Sequence, residues 1–169
     1  AADEIDFVCH AIGGSLCHAD PAADWVSTLC VLDAQCTIYS SAGRRQMRAT
    51  EFVAGAFENA LQAGELLESI QIPRLSPGGR WGYYKVCRKA GEFASALGAV
   101  VLDEPRNVCR AVIGATDGAP IVVADARALF GERSGIDRAL VSNLLDGRGI
   151  RDAGVRSQQL AALTRAYQQ

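Results

Sequence analysis

The chain has 169 residues, 49% of them hydrophobic and 21% charged, with a formal net charge of −2. That balance belongs to a folded globular chain and gives no electrostatic reason to expect nucleic acid or an anionic membrane as a partner. No apolar run approaches the ~20 residues that span a bilayer, and the opening Ala1-Ala2-Asp3-Glu4-Ile5-Asp6 shows no basic stretch of a signal peptide.

The first signal along the chain is Ala11-Ile12-Gly13-Gly14-Ser15, where a glycine pair lets the backbone pass close to a bulky neighbour. Taken alone it reads as a tight turn; the third glycine and preceding strand of a dinucleotide fingerprint are missing. Asp20-Pro21 then predicts a helix start, with Asp20 as cap and Pro21 at the first helical position. Ala22, Trp25, Val26, Leu29 and Leu32 follow at helical spacing to an end near Asp33. Gln35–Ser40 reads as a strand, Ser41–Arg44 as a turn into a short return strand, and Thr50 through Phe57 as a short helical segment. Leu66–Pro73 alternates and stops at proline, which predicts a strand. After the Ser76–Gly79 loop, Trp81–Arg88, Ala96–Leu102 and Val108–Ile113 read as strands. Three helices follow at Ala124–Phe130, Ile136–Leu145 and Ser157–Tyr167. The class is α+β: a helix, a mainly antiparallel sheet, then helices covering one face.

Six cysteines occur and no pair is spaced C-x-x-C. Cys9, His10, Cys17 and His18 place four soft ligands within ten residues, but two Cys-His pairs are odd spacing for zinc. The expectation is no metal, and buried or half-buried thiols in a reducing cytoplasm. On the central strand, Tyr83 and Lys85 share a face opposite Tyr84, with Arg88 and Lys89 following. A ring beside a cation suits a flat, electron-rich or anionic ligand. Periodicity alone favours an amphipathic strand with its rings in the core and its cations in water.

Read together, these segments carry a resemblance. Ile12-Gly13-Gly14-Ser15-Leu16-Cys17-His18-Ala19-Asp20-Pro21-Ala22-Ala23-Asp24 looks like the second flavin-binding segment of the FAD subunit of molybdenum hydroxylases. That family includes the medium subunit of aerobic carbon monoxide dehydrogenase and the FAD domain of xanthine dehydrogenase. Later signatures keep the family order: Gly64-Glu65-Leu66-Leu67-Glu68-Ser69-Ile70-Gln71-Ile72-Pro73, then Tyr84-Lys85, then Arg88-Lys89-Ala90-Gly91-Glu92-Phe93-Ala94.

The resemblance implies an FAD-binding electron-transfer subunit that receives electrons from iron–sulfur clusters and passes them to an external acceptor. The protein holds and tunes the flavin, and the cofactor supplies the chemistry. Its partners would be a molybdenum-cofactor subunit and an iron–sulfur subunit, in a cytoplasmic oligomer, with no turnover by the isolated chain. Residues 1–75 would be a partial FAD-binding lobe and residues 76–169 a C-terminal flavoprotein subdomain. Carried over, Ala11, Ile12, Gly13, Gly14 and Ser15 would lie along the FAD phosphates and ribityl chain, and Asp24 would accept from hydroxyls or ring edges. Leu67 would pack near the isoalloxazine ring, and Lys85 would set a cation at its pyrimidine end. No residue is expected to be catalytic. Three departures stand out: Ala11 replaces the family's threonine or serine, Asp6–His10 lacks its basic residues and glycine, and the family's N-terminal FAD-binding lobe has no counterpart here. They frame the alternative, a flavin-free module kept for subunit contacts.

Overall fold

The computed structural model describes residues 3–131 and 135–169, with side chains from residue 11 onward. Helix α1 (Asp3–His18) is followed by α2 (Asp24–Val31) and the hairpin β1 (Gln35–Ser40) and β2 (Gly43–Arg48). A four-residue helix α3 (Ala49–Phe52) leads into β3 (Val53–Gly55) and β4 (Glu58–Asn59), and then β5 (Leu66–Gln71). Strands β6 (Arg80–Val86), β7 (Ala96–Asp103), β8 (Val108–Gly114) and β9 (Ile121–Val123) come next, before α4 (Arg138–Gly147) and α5 (Ala153–Tyr167). The sheets are β2-β1-β5, β3-β4 and β6-β7-β8-β9, antiparallel throughout. The α+β expectation of a helix, a mainly antiparallel sheet and closing helices is met.

The architecture follows from the burial of β7 on both faces. Leu97, Ala99 and Val101 point into one core with Leu16 of α1, Val26 and Leu29 of α2, Ile38 of β1 and Phe52. Val100, one step out of phase, joins a second core with Ile113, Val141, Leu145 and Leu163 under α4 and α5. The four-stranded sheet is therefore the middle layer. Each of the larger buried side chains contributes about 1.5–3 kcal/mol by leaving water. Close approach of α5 requires glycine on the sheet: an added Cβ at Gly98 would meet Leu163 backbone at 2.6 Å, and one at Gly82 would meet the Ala166 carbonyl oxygen at 1.7 Å. Gln159 of α5, fully buried, closes the joint by donating to the Gly114 and Ala115 carbonyls at 3.0 and 3.1 Å.

Four local expectations are corrected. Residues 11–15 are not a turn but part of α1, because Ile12, Leu16 and Ala19 form an apolar stripe that outweighs the two glycines. The second helix starts at Asp24 rather than Pro21: Asp20 instead accepts Ala22 N–H at 2.9 Å and, through its carbonyl, Ala23 N–H at 3.0 Å, closing a turn. The segment from Thr50 to Phe57 is helical only to Phe52; Val53–Asn59 form a hairpin whose turn holds Phe57 at φ 58°. Ala124–Phe130 contains only a 3-10 turn at Arg127–Leu129, since the β-branched run Ile121–Val123 adds β9 beside β8 and delivers the chain extended. The remaining strands lie within two residues of expectation. α5 begins four residues earlier than its apolar stripe indicated, where Asp152 caps it by accepting Val155 N–H at 2.9 Å.

Candidate functional site

Asp24 is the first residue of α2, where a carboxylate complements the positive end of the helix dipole. The turn before it begins at Ala19, whose left-handed φ of 52° ends α1. The β3–β4 hairpin buttresses this junction. Phe57 N–H donates to the Ala19 carbonyl at 2.8 Å, Asn59 Nδ2 donates to the Cys17 carbonyl at 2.6 Å, and the Phe57 ring packs on His18 at 5.2 Å.

Tyr83 and Lys85 project from β6 toward α2, as strand alternation requires, and converge on the Asp24 carboxylate. The Tyr83 hydroxyl donates to Oδ1 at 2.6 Å and Lys85 Nζ donates to Oδ2 at 3.0 Å. Burial, and then the bond to Asp24, push the Tyr83 phenol above its ordinary range, so it stays a donor at neutral pH. Lys85 is the more enclosed ion partner, 23% exposed against 50% for Asp24. The carboxylate thus keeps a solvent-facing side with spare acceptor capacity. Tyr84 takes the opposite face, where its hydroxyl accepts from Arg165 at 2.8 Å and its ring lies 5.0 Å from that guanidinium. An apolar groove of about 410 Å³, walled by Trp25, Ile72, Trp81 and Tyr83, opens next to the cluster.

The second group of sequence-derived residues gathers elsewhere. Gly13 faces Leu67 of β5 closely enough that an added Cβ would sit 3.9 Å from its Cδ2. Gly14 borders open space, Ala11 is exposed, and Ile12 and Ser15 are half-buried. Amides inside a helix are spent on carbonyls four residues back, so this segment offers a ligand a smooth small-residue surface rather than free N–H donors. Among the described residues no hydrogen bond or ion pair joins the Gly13–Leu67 group to the Asp24–Tyr83–Lys85 group. Tyr83 is the residue that sequence reasoning placed beside Lys85 without giving it a role at the site. Its signal was the two-residue spacing that puts both on one strand face.

The five cysteines whose side chains are described supply no competing chemistry. Cys17, Cys30, Cys36, Cys87 and Cys109 are free thiols, all buried or half-buried as expected. Burial pushes Cys30 up to about 12 and Cys36 up to about 11, far from a reactive thiolate. Among the described residues no group of three or more histidine, cysteine, aspartate or glutamate side chains is arranged to hold a metal ion. The side chains of Cys9 and His10, half of the conceivable soft-ligand set, lie outside the described residues. No helix among the described residues is long and apolar enough to cross a membrane.

Comparison with known proteins places these features in a family. Residues 9–75 match the FAD binding domain in molybdopterin dehydrogenase. The chain is 33% identical over 118 residues to the nicotine 6-hydroxylase medium subunit of Paenarthrobacter nicotinovorans, covering 68% of this chain and 41% of that one. It is 32% identical over 152 residues to the carbon monoxide dehydrogenase medium chain of Afipia carboxidovorans, covering 89% and 50%. The chain thus spans half or less of these two relatives. Among solved structures, quinoline 2-oxidoreductase from Pseudomonas putida 86 aligns with a TM-score of 0.70 and 27% identity over 93% of this chain and 59% of that one. A carbon monoxide dehydrogenase chain from Hydrogenophaga pseudoflava shares the fold with a TM-score of 0.73 at 23% identity, again over 93% and 59%. FAD is the cofactor that the family match names, as the sequence implied. Residues 9–75 thus belong to the family of FAD binding domains in molybdopterin dehydrogenase, and the two relatives at 33% and 32% identity are the medium subunit of a nicotine 6-hydroxylase and the medium chain of a carbon monoxide dehydrogenase.

Proposed function

We propose that the chain contributes one side of an FAD site in a molybdenum hydroxylase-type dehydrogenase and helps pass electrons from iron–sulfur clusters to an external acceptor. In this reading residues 1–75 form a partial flavin lobe and residues 76–169 a C-terminal subdomain. The companions are a molybdenum-cofactor subunit and an iron–sulfur subunit in a cytoplasmic oligomer. The observation that carries the reading is the convergence of Asp24, Tyr83 and Lys85 across 59 and 61 residues of sequence. It ties the segment that matches the FAD-binding domain to the strand that follows it.

The donor set fits a flavin. Lys85 offers a cation for the electron-rich pyrimidine edge, Asp24 an acceptor for hydroxyl or ring N–H groups, and Tyr83 a neutral donor that fixes the carboxylate. Gly14, with open space over it, gives the dinucleotide chain an unobstructed surface, and Leu67 backs Gly13 as an apolar wall. Bound FAD would supply the two-electron chemistry. The part of the chain's residues is to orient that group and to hold positive charge where negative charge accumulates on it. The flavin-free alternative has no comparable support, since subunit contacts alone would not require a half-buried lysine and tyrosine to meet an exposed aspartate.

The test is a pair of lysine variants compared by flavin fluorescence titration. Lys85→Met should weaken FAD binding by about tenfold or more, the worth of one charge-assisted bond, and Lys89→Met should leave it unchanged. Gly14→Val should abolish binding with the fold intact, because nothing lies within 4 Å of the added side chain's root. Equal effects from the two lysines, or normal binding by Gly14→Val, would remove these residues from the site.

A further inference from the structure

Helices α4 and α5 form a hairpin whose charges are unevenly spent. Residues 137–156 hold three aspartates and four arginines, in a chain that is acidic as a whole. Every one of those aspartates is engaged within the hairpin. Asp137 caps α4 by accepting Ala139 and Leu140 N–H at 2.9 and 3.0 Å, and Asp152 caps α5. Asp146 pairs with Arg156 at 2.7 Å, and that contact holds its carboxyl below the usual range. Arg156 is equally committed: it also donates to the Ile150 carbonyl at 2.8 Å and to the Ser142 carbonyl and hydroxyl, clamping the two helices together.

Between the clamped helices lies a groove of about 430 Å³. Val141 and Leu145 lie beneath it as part of the core, the half-buried Leu160 is the large apolar side chain that reaches its surface, and Arg138 and Arg151 stand on its walls. Both are exposed, and no ion pair among the described residues involves either one. Two exposed cations without an ion-pair partner among the described residues, beside the apolar Leu160, call for a ligand that is both anionic and apolar.

We propose that this groove docks an acidic segment of a partner protein, with carboxylates on Arg138 and Arg151 and an aliphatic side chain on Leu160. A free inorganic anion would use the arginines and leave Leu160 wet; a segment alternating acid and aliphatic residues uses both. The proposal involves no flavin and stands or falls separately from the reading above.

The test is fluorescence anisotropy of the full chain with a fluorescein-labelled peptide of alternating glutamate and leucine. The controls are a lysine–leucine peptide and inorganic phosphate as competitor. Saturable binding of the glutamate peptide alone is expected. Arg138→Glu and Arg151→Glu should each weaken it roughly two- to fivefold, and the pair together about tenfold or more. Binding should also fade as salt approaches about 1 M, where the Debye length is about 3 Å. Arg148→Glu, which reverses a nearby charge outside the groove, should have little effect, and circular dichroism should show all variants folded. The proposal is overturned by absence of saturable binding, by equal loss in Arg148→Glu, or by phosphate displacing the peptide at equal concentration.

Discussion

Replacing Gly98 with alanine tests the packing that joins the two halves of the molecule. Gly98 sits on the central strand β7, and an alanine Cβ there would lie 2.6 Å from the Leu163 nitrogen and Cα and 2.7 Å from the Ala162 carbonyl carbon. These are backbone atoms of α5, so no side-chain rotation relieves the clash and the helix must lift. Its other anchor is equally tight, with Gly82 lying under the Ala166 carbonyl. Overpacking of this kind costs about 1–3 kcal/mol, partly offset by the roughly 0.4–1 kcal/mol that alanine gains by restricting the unfolded chain. For a chain of this size each kcal/mol lowers the melting temperature by about 2–4 °C. Gly98→Ala should therefore melt below the wild type, by up to roughly 10 °C, in a circular dichroism scan. Gly118→Ala, with nothing within 4 Å of its added Cβ, serves as the control and should melt at or slightly above the wild type. Coincident melting of the two variants would refute the close contact of α5 with the sheet.

Gln159→Leu should destabilise by about 1–3 kcal/mol in urea unfolding, because it leaves the Gly114 and Ala115 carbonyls without their buried donor; a midpoint equal to wild type would contradict that network. Glu65 receives both arms of the Arg45 guanidinium at 2.7 Å and the Gln62 N–H at 2.7 Å, which hold its carboxyl down at about 2. Because the folded value lies below the unfolded one of about 4.3, the stabilisation is complete above that pH and is lost as pH falls toward about 2. Glu65→Gln should thus be less stable than wild type at pH 7, with the difference closing across that window. A difference that does not change with pH would show that the pair contributes nothing by charge.

Much of the sheet is legible in the sequence because its strands alternate or are apolar on both faces. Gln35–Ser40, Leu66–Gln71, Ala96–Asp103 and Val108–Gly114 carry β-branched and aliphatic runs bounded by turn residues, and they pair as those runs suggest. The misreadings share one cause, the weight given to local punctuation. Gly13-Gly14 looked like a break, yet Ile12, Leu16 and Ala19 bury one helical stripe across it. Asp20-Pro21 has the chemistry of a helix start, but the Asp20 side chain is taken by its own turn. Ile121–Val123 is too short to announce itself as a strand, because its partner strand, β8, is supplied only by the tertiary fold. The site shows the same division. That Tyr83 and Lys85 share a face follows from alternation, whereas their meeting with Asp24 depends on α2 crossing the sheet and is invisible to any local pattern. That Asp24 and Lys85 serve one flavin is what the family resemblance implies, not what any local pattern shows.

The most direct test of the account is the absorption spectrum of the purified full chain, recorded after FAD is added and the excess removed, for the wild type and for Asp24→Ala. The account predicts that wild-type protein retains flavin bands and that Asp24→Ala, folded by circular dichroism, loses most of them. A wild-type protein that emerges colourless, or a variant that retains flavin equally, would contradict the assignment of the Asp24–Tyr83–Lys85 cluster to FAD.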